Sequence, residues 1–149
     1  MFTVGNFAYL VILNDKITKL SVGSADDGRA ATLPDGFPKD KIDDFFSEFK
    51  SHFNSKSEVE FYGLFSEWTQ AQMNENEVKE NYENLRQLFG EVEKATYSHF
   101  EIEGKQDQRT FVLLNYIAQT EKRNGPVSLQ LGIYWDGQES GFYRTYMSL

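Results

Sequence analysis

Two stretches decide how this chain folds: Gln108–Thr120, QRTFVLLNYIAQT, and Val127–Trp135, VSLQLGIYW. The first carries Phe111, Val112, Leu113, Leu114, Tyr116 and Ile117 on both faces, the pattern of a central strand covered on two sides. The second alternates Val127, Leu129, Leu131, Ile133 and Trp135 with polar or small Ser128, Gln130, Gly132 and Tyr134, so one face lies on a core. Asn124-Gly125-Pro126 closes the hairpin between them. Upstream, Gly104 to Asp107 turns back to a strand over Glu91 to Glu103; downstream, Asp136-Gly137 leads into a last strand from Phe142 to Leu149. Within Glu91–Glu103, Ala95 and Tyr97 share one parity and Phe100 and Ile102 the other, which predicts a β-bulge. Residues 91–149 therefore read as a four-strand antiparallel meander.

Before Gly90 the apolar period is helical. Ile42, Phe45, Phe46, Phe49 and Phe53 form one continuous stripe, predicting a helix from about Pro38 to Phe53, with Pro38 where its missing N–H costs nothing and Asp40 near the positive dipole end. Ser57 and Glu60 have capping-box spacing for a second helix with the stripe Phe61, Leu64, Phe65 and Trp68, interrupted by Gly63. Asn74 and Glu77 offer a third N-terminus, followed by Val78, Tyr82, Leu85, Leu88 and Phe89, and Gly90 sits where a terminating glycine belongs. Phe2 to Leu13, the Asn14-Asp15 turn and Lys16 to Val22 read as a hairpin. Asp26-Asp27-Gly28 and Pro34-Asp35-Gly36 make 23–37 a loop; the first lacks the alternating oxygen ligands of a calcium loop and reads as a turn.

The expectation is one α+β domain over 1–149: an extra N-terminal β-hairpin (1–22), a loop (23–37), helices (38–90) and the meander (91–149), with helices packed on one face of a curved antiparallel sheet. A length of 149 residues suits one core without staples.

The 15 Lys and Arg against 23 Asp and Glu give a formal charge of −8, which disfavours nucleic acid. That charge is concentrated between Ser57 and Glu103, where eleven glutamates meet only Lys79, Arg86 and Lys94; the rest of the chain is balanced. A solvated helical face or a docking surface for a basic partner would both account for it. The absence of Cys excludes disulfides, thiol nucleophiles and thiolate metal sites. Phe7 to Leu13 is far short of the ~20 residues a spanning helix needs, and no Lys or Arg precedes it. As written, the chain reads as cytoplasmic, with export open where a leader has been removed. No phosphate loop, His-x-x-x-His pair or Gly-x-Ser-x-Gly elbow occurs, so neither metal nor cofactor is expected.

The run Phe45-Phe46, Phe53-Asn54, Phe61-Tyr62-Gly63-Leu64-Phe65-Ser66, Val78, Leu85 and Leu88-Phe89-Gly90-Glu91-Val92, leading into four strands, resembles small bacterial domains of unknown function in the cystatin-like, nuclear-transport-factor-2-like superfamily. The resemblance covers roughly residues 38 to 149, and the N-terminal hairpin departs from that family's helix-first order. It implies a sheet wrapped round the long helix as a cone with a pocket inside. The residues that would line the cone and meet a ligand are Trp68, Tyr82, Tyr97, His99, Asn115 and Trp135, although core packing would also account for the aromatic ones; Asn115 interrupts an apolar strand and needs polar partners or a ligand.

Enzymes of that superfamily need a carboxylate or His base in the pocket. His99, which shares strand parity with Tyr97, is the one candidate, though it reads first as an exposed or structurally bonded strand residue; His52 ends the first helix, where a cation favours the dipole. No Asp lies in the middle of a meander strand, so no catalytic residue is carried over. Three functions follow as expectations: a non-catalytic pocket-containing or protein-binding accessory domain, a small-molecule isomerase or lyase using His99, or an acidic inhibitor or immunity-type protein binding a basic partner. The partners weighed are a small apolar ligand, a protein, and a second copy meeting the face of Ser128, Gln130 and Tyr134.

Overall fold

The structure, a computed structural model, describes residues 32–149. The hairpin expected over 1–22 and the Asp26-Asp27-Gly28 turn lie outside the described residues. The first helix begins later than Pro38: a 3-10 turn, Lys39–Lys41, precedes α1 (Ile42–Phe53). α2 (Glu58–Tyr62) and α3 (Glu67–Gln70) replace the single second helix expected from the Phe61–Trp68 stripe. Gly63 is the reason, since it closes α2, its N–H bonded to the Val59 carbonyl, and Ser66 restarts the chain as a new N-cap. α4 (Glu75–Phe89) opens on Asn74, whose side chain accepts the Glu77 N–H, and closes at Gly90 with φ 71°, as the spacing predicts.

The sheet has the order β1 (Val92–Gln106), β2 (Arg109–Thr120), β3 (Val127–Trp135), β4 (Ser140–Ser148), all antiparallel. This is the α+β arrangement expected, with the helices on one face of a curved sheet. β1 runs three residues beyond the expected end, and Asp107, at φ 57°, makes the turn. The predicted bulge in β1 exists. Register shifts between Tyr97 and His99 put Ala95 and Tyr97 opposite Ala118 and Tyr116, and Phe100 and Ile102 opposite Leu114 and Val112, so all four share the inner face.

That inner face holds the main core. Val112, Leu114, Tyr116 and Ala118 from β2 and Val127, Leu129, Leu131 and Ile133 from β3 meet Phe45, Phe49, Phe53, Phe61, Tyr82 and Phe89 from the helices. Phe53 is fully buried, stacked on Phe49 at 5.3 Å and edge-on to Phe61 and Tyr82 at 5.9 and 5.4 Å. Helix rings thus pack directly against the inner face of the sheet. No helix among the described residues is long and apolar enough to cross a membrane.

Candidate functional site on the outer sheet face

The other face of the sheet carries a second buried group, Phe111, Leu113, Tyr134 and Tyr143, outside the main core cluster. Its geometry begins with a crossing. Phe65 pairs as a parallel bridge with Phe142 at the edge of β4, the Ser66 N–H donates to the Phe142 carbonyl at 3.4 Å, and Thr69 Oγ1 donates to the same carbonyl at 2.9 Å. The chain can pass here because residue 141 is glycine: a Cβ there would lie 2.6 Å from Tyr134 Oη and 2.8 Å from Ser66 Cβ. The crossing carries Trp68 from the helix layer to the outer face, where its ring sits 5.4 Å from Tyr134 and 5.8 Å from Phe111. Tyr134 Oη donates to Ser66 Oγ at 2.9 Å and fixes the crossing from below.

Arg109, first residue of β2, lies over this cluster, with its guanidinium carbon 4.3 Å from the Trp68 ring centroid and 5.4 Å from that of Tyr134. Its Nε is buried with no hydrogen-bond acceptor among the described residues. Beside it, a bulge where β3 passes from Gly132 to Ile133 lets Tyr143 and Arg144 both reach Glu103 on β1. Tyr143 Oη donates to Glu103 Oε1 at 2.5 Å and Arg144 Nη1 to Oε2 at 2.7 Å. Burial and the Glu103 carboxylate push the Tyr143 hydroxyl well above its ordinary value, so it remains a donor. A separate set of bonds on the same face centres on Asn115, whose Nδ2 donates to Glu101 Oε1 at 3.2 Å and whose Oδ1 accepts from Gln130 Nε2 at 2.7 Å.

The six residues proposed as a ligand lining do not converge. Trp68 and Asn115 are on the outer face, and Asn115, 8% exposed, finds its partners within the sheet. Tyr82 belongs to the helix core, its hydroxyl donating to the Phe53 carbonyl at 2.6 Å. Trp135 lies at the rim of the inner face, its Nε1 donating to the Asp35 carbonyl at 2.9 Å. Tyr97 packs edge-on to Tyr116 at 5.7 Å on the inner face. His99 does not accompany it: the register shift after Tyr97 places His99 opposite Asn115 on the outer side, exposed, with Nδ1 2.9 Å from Ser98 Oγ. The bulge that gathers four apolar residues inward is what separates these two. His52 behaves as its position implies, with Nδ1 2.9 Å from the Glu48 carbonyl in the last turn of α1.

Of the face Ser128, Gln130 and Tyr134, only Ser128 is exposed; Gln130 is half-buried and Tyr134 is 7% exposed. Arg109, Glu103, Tyr143 and Arg144 are absent from the sequence-derived lining. The adjacency of Tyr143 and Arg144 hides them, since strict alternation assigns neighbours to opposite faces. The signal that points to them is Gly132, a glycine inside a strand. Among the described residues, no group of three or more His, Asp or Glu side chains is placed to hold a metal ion. No protein-family model matches the chain, and no curated protein matches it.

Proposed function

We propose that this chain is a non-catalytic, protein-binding accessory domain of the cystatin-like, nuclear-transport-factor-2-like type, whose partner docks on the outer sheet face around Trp68, Arg109 and Tyr134. The observation that carries this reading is the half-buried Arg109, whose guanidinium stacks 4.3 Å over Trp68. Trp, Tyr and Arg are the residue types that dominate interface energetics. Stacking on two rings orders the guanidinium, and with Nε sealed beneath, a partner's carboxylate or carbonyl would meet the preorganised N–H groups of its outer nitrogens. The family reading is supported by the order of elements, helices followed by a four-strand meander with the helices on one face. A protein partner is favoured over a small ligand by the inner aromatic packing, and over turnover by the exposed, outward position of His99.

The test is capture of a partner from the source cell by the wild type and by Trp68→Ala/Arg109→Ala, with thermal melting to verify folding. Loss of a partner in the folded double variant is expected; equal capture would overturn this docking face.

A second reading, docking of a basic partner on the Glu-rich helices, is supported by one relationship. Glu83 on α4 faces Glu58 on α2, and this carboxyl pair raises the Glu83 pKa. A like-charge pair kept at a helix–helix contact is unfavourable for the free protein and is relieved by a cationic partner. Capture that falls steeply with added salt and in Glu58→Gln/Glu83→Gln supports it; salt-independent capture counts against it.

A further inference from the structure

At the end of β2 opposite Arg109, the α1–α2 loop, the C-terminal end of α4 and the β2–β3 loop enclose a groove of about 280 Å³ whose walls include Lys56, Arg86, Gly90, Glu91, Glu121 and Lys122. Two of its charged groups are engaged within the protein. Glu121 Oε1 accepts the Glu91 backbone N–H at 3.1 Å, and Lys122 Nζ donates to the Gln87 carbonyl at 3.3 Å. Arg86 is different. Its guanidinium is held over the Phe53 ring at 5.7 Å, and Nη1 is buried with no hydrogen-bond acceptor among the described residues. Lys56 stands at the rim on a backbone with φ 64°, a conformation that non-glycine residues seldom adopt. Gly90 keeps the floor open to Glu121, since a Cβ there would lie 2.5 Å from Glu121 Oε1.

Buried donors without acceptors are rare; Nη1 shows that no carboxylate of the described residues holds this guanidinium at that nitrogen, and Arg86 lines the groove, so its remaining N–H groups are the ones a ligand would meet. Three cations against two carboxylates leave one positive charge, which matches a monoanion; a dianion would be opposed by Glu91 and Glu121. The planar guanidinium fork suits a carboxylate held through two parallel hydrogen bonds. We propose that this groove binds a single carboxylate, supplied by a small organic acid or by the C-terminus of a peptide, with Arg86 as its forked partner and Lys56 as the second cation. The site is separate from the outer-face reading and stands or falls without it.

The test is an amide and arginine Nε–H NMR titration of the full chain with sodium acetate, sodium chloride and sodium phosphate at matched ionic strength. Saturable shifts at Lys56, Arg86, Gly90 and Lys122 with acetate and not chloride are expected. Arg86→Gln should weaken acetate binding at least about tenfold, with Lys56→Gln as the second variant should the first fail to fold, and Lys94→Gln as the unaffected control. A tripeptide with a free C-terminus and its amide distinguish the sources: tighter binding than acetate, lost in the amide, identifies a chain terminus, while binding equal to acetate identifies a free acid. Shifts equal in chloride, acetate binding undiminished in the folded variants, or tighter binding of phosphate would overturn the proposal.

Discussion

The Tyr143 ring occupies the space that a side chain on Gly132 would need: a Cβ at residue 132 would lie 2.7 Å from Tyr143 Cζ and 2.8 Å from Arg144 Cβ. Neither neighbour can withdraw easily. Tyr143 is fully buried, 4.9 Å from Phe111, and tied to Glu103 across two intervening strands, while Arg144 is tied to the same carboxylate. Gly132→Ala is therefore expected to destabilise the protein by about 1–3 kcal/mol, the range for overpacking a filled site. Urea unfolding measures it, and an unchanged midpoint would mean that the ring does not lie there.

Tyr143→Phe removes only the hydroxyl. Glu103 keeps Arg144 but loses its bond from Oη, and a bond to a charged group contributes about 1.5–3 kcal/mol. A loss in that range is expected. A double-mutant cycle with Glu103→Gln should return a coupling of similar sign, whereas additive losses would show that the two side chains do not interact.

These two positions also mark how far the sequence could be read. Apolar parity in β1 foretold the bulge, because Ala95 and Tyr97 could join Phe100 and Ile102 only if a residue were inserted between them. The caps at Ser57, Asn74 and Gly90 were legible because each is a local matter of one side chain or one φ angle. Gly63 marked the weak point of the second helix, but the crossing at Ser66 was not legible, since it depends on Gly141 leaving room on a strand more than seventy residues away. His99 stands exposed, the favoured of its two readings, while the alternative that placed it inward beside Tyr97 fails because parity counted through a bulge inverts the face. The outer-face cluster stayed hidden because Trp68 reaches it from another layer and Arg144 reaches it out of alternation.

The pair Glu58 and Glu83 gives a prediction about acid. Glu83 is raised above its ordinary value of 4.5 chiefly by a hydrogen bond with the Glu58 carboxyl and next by that group's charge. A raised folded value means that the folded state holds this proton more tightly than the unfolded one. The resulting stability is present at low pH and is lost as pH rises through the folded value. At neutral pH Glu83→Gln should melt higher than wild type at low salt. The difference should shrink in high salt and again below about pH 4.5, where Glu83 itself becomes neutral. A lower melting temperature at neutral pH and low salt would contradict the arrangement.

At the alkaline end the tyrosines act together. Tyr82, Tyr97, Tyr116 and Tyr143 are all raised above the ordinary value of 10.0, with burial the largest cause in each case. Tyr82 and Tyr116 also donate to the carbonyls of Phe53 and Ile42 at 2.6 and 2.7 Å, bonds that require the proton. Below the unfolded value both states are protonated and nothing changes with pH. Above it the unfolded chain loses protons that the folded chain retains, so stability falls as pH climbs from about 10 through the folded values. Four groups acting in one direction make the fall steep, because each adds one proton to the difference in binding. Urea midpoints should be flat just below that pH and then drop, and tyrosinate absorbance for the buried rings should appear with unfolding rather than before it. Tyr116→Phe removes one of the four and should make the alkaline slope shallower, although it weakens the fold at neutral pH; an unchanged slope would mean that this hydroxyl is not buried against Ile42.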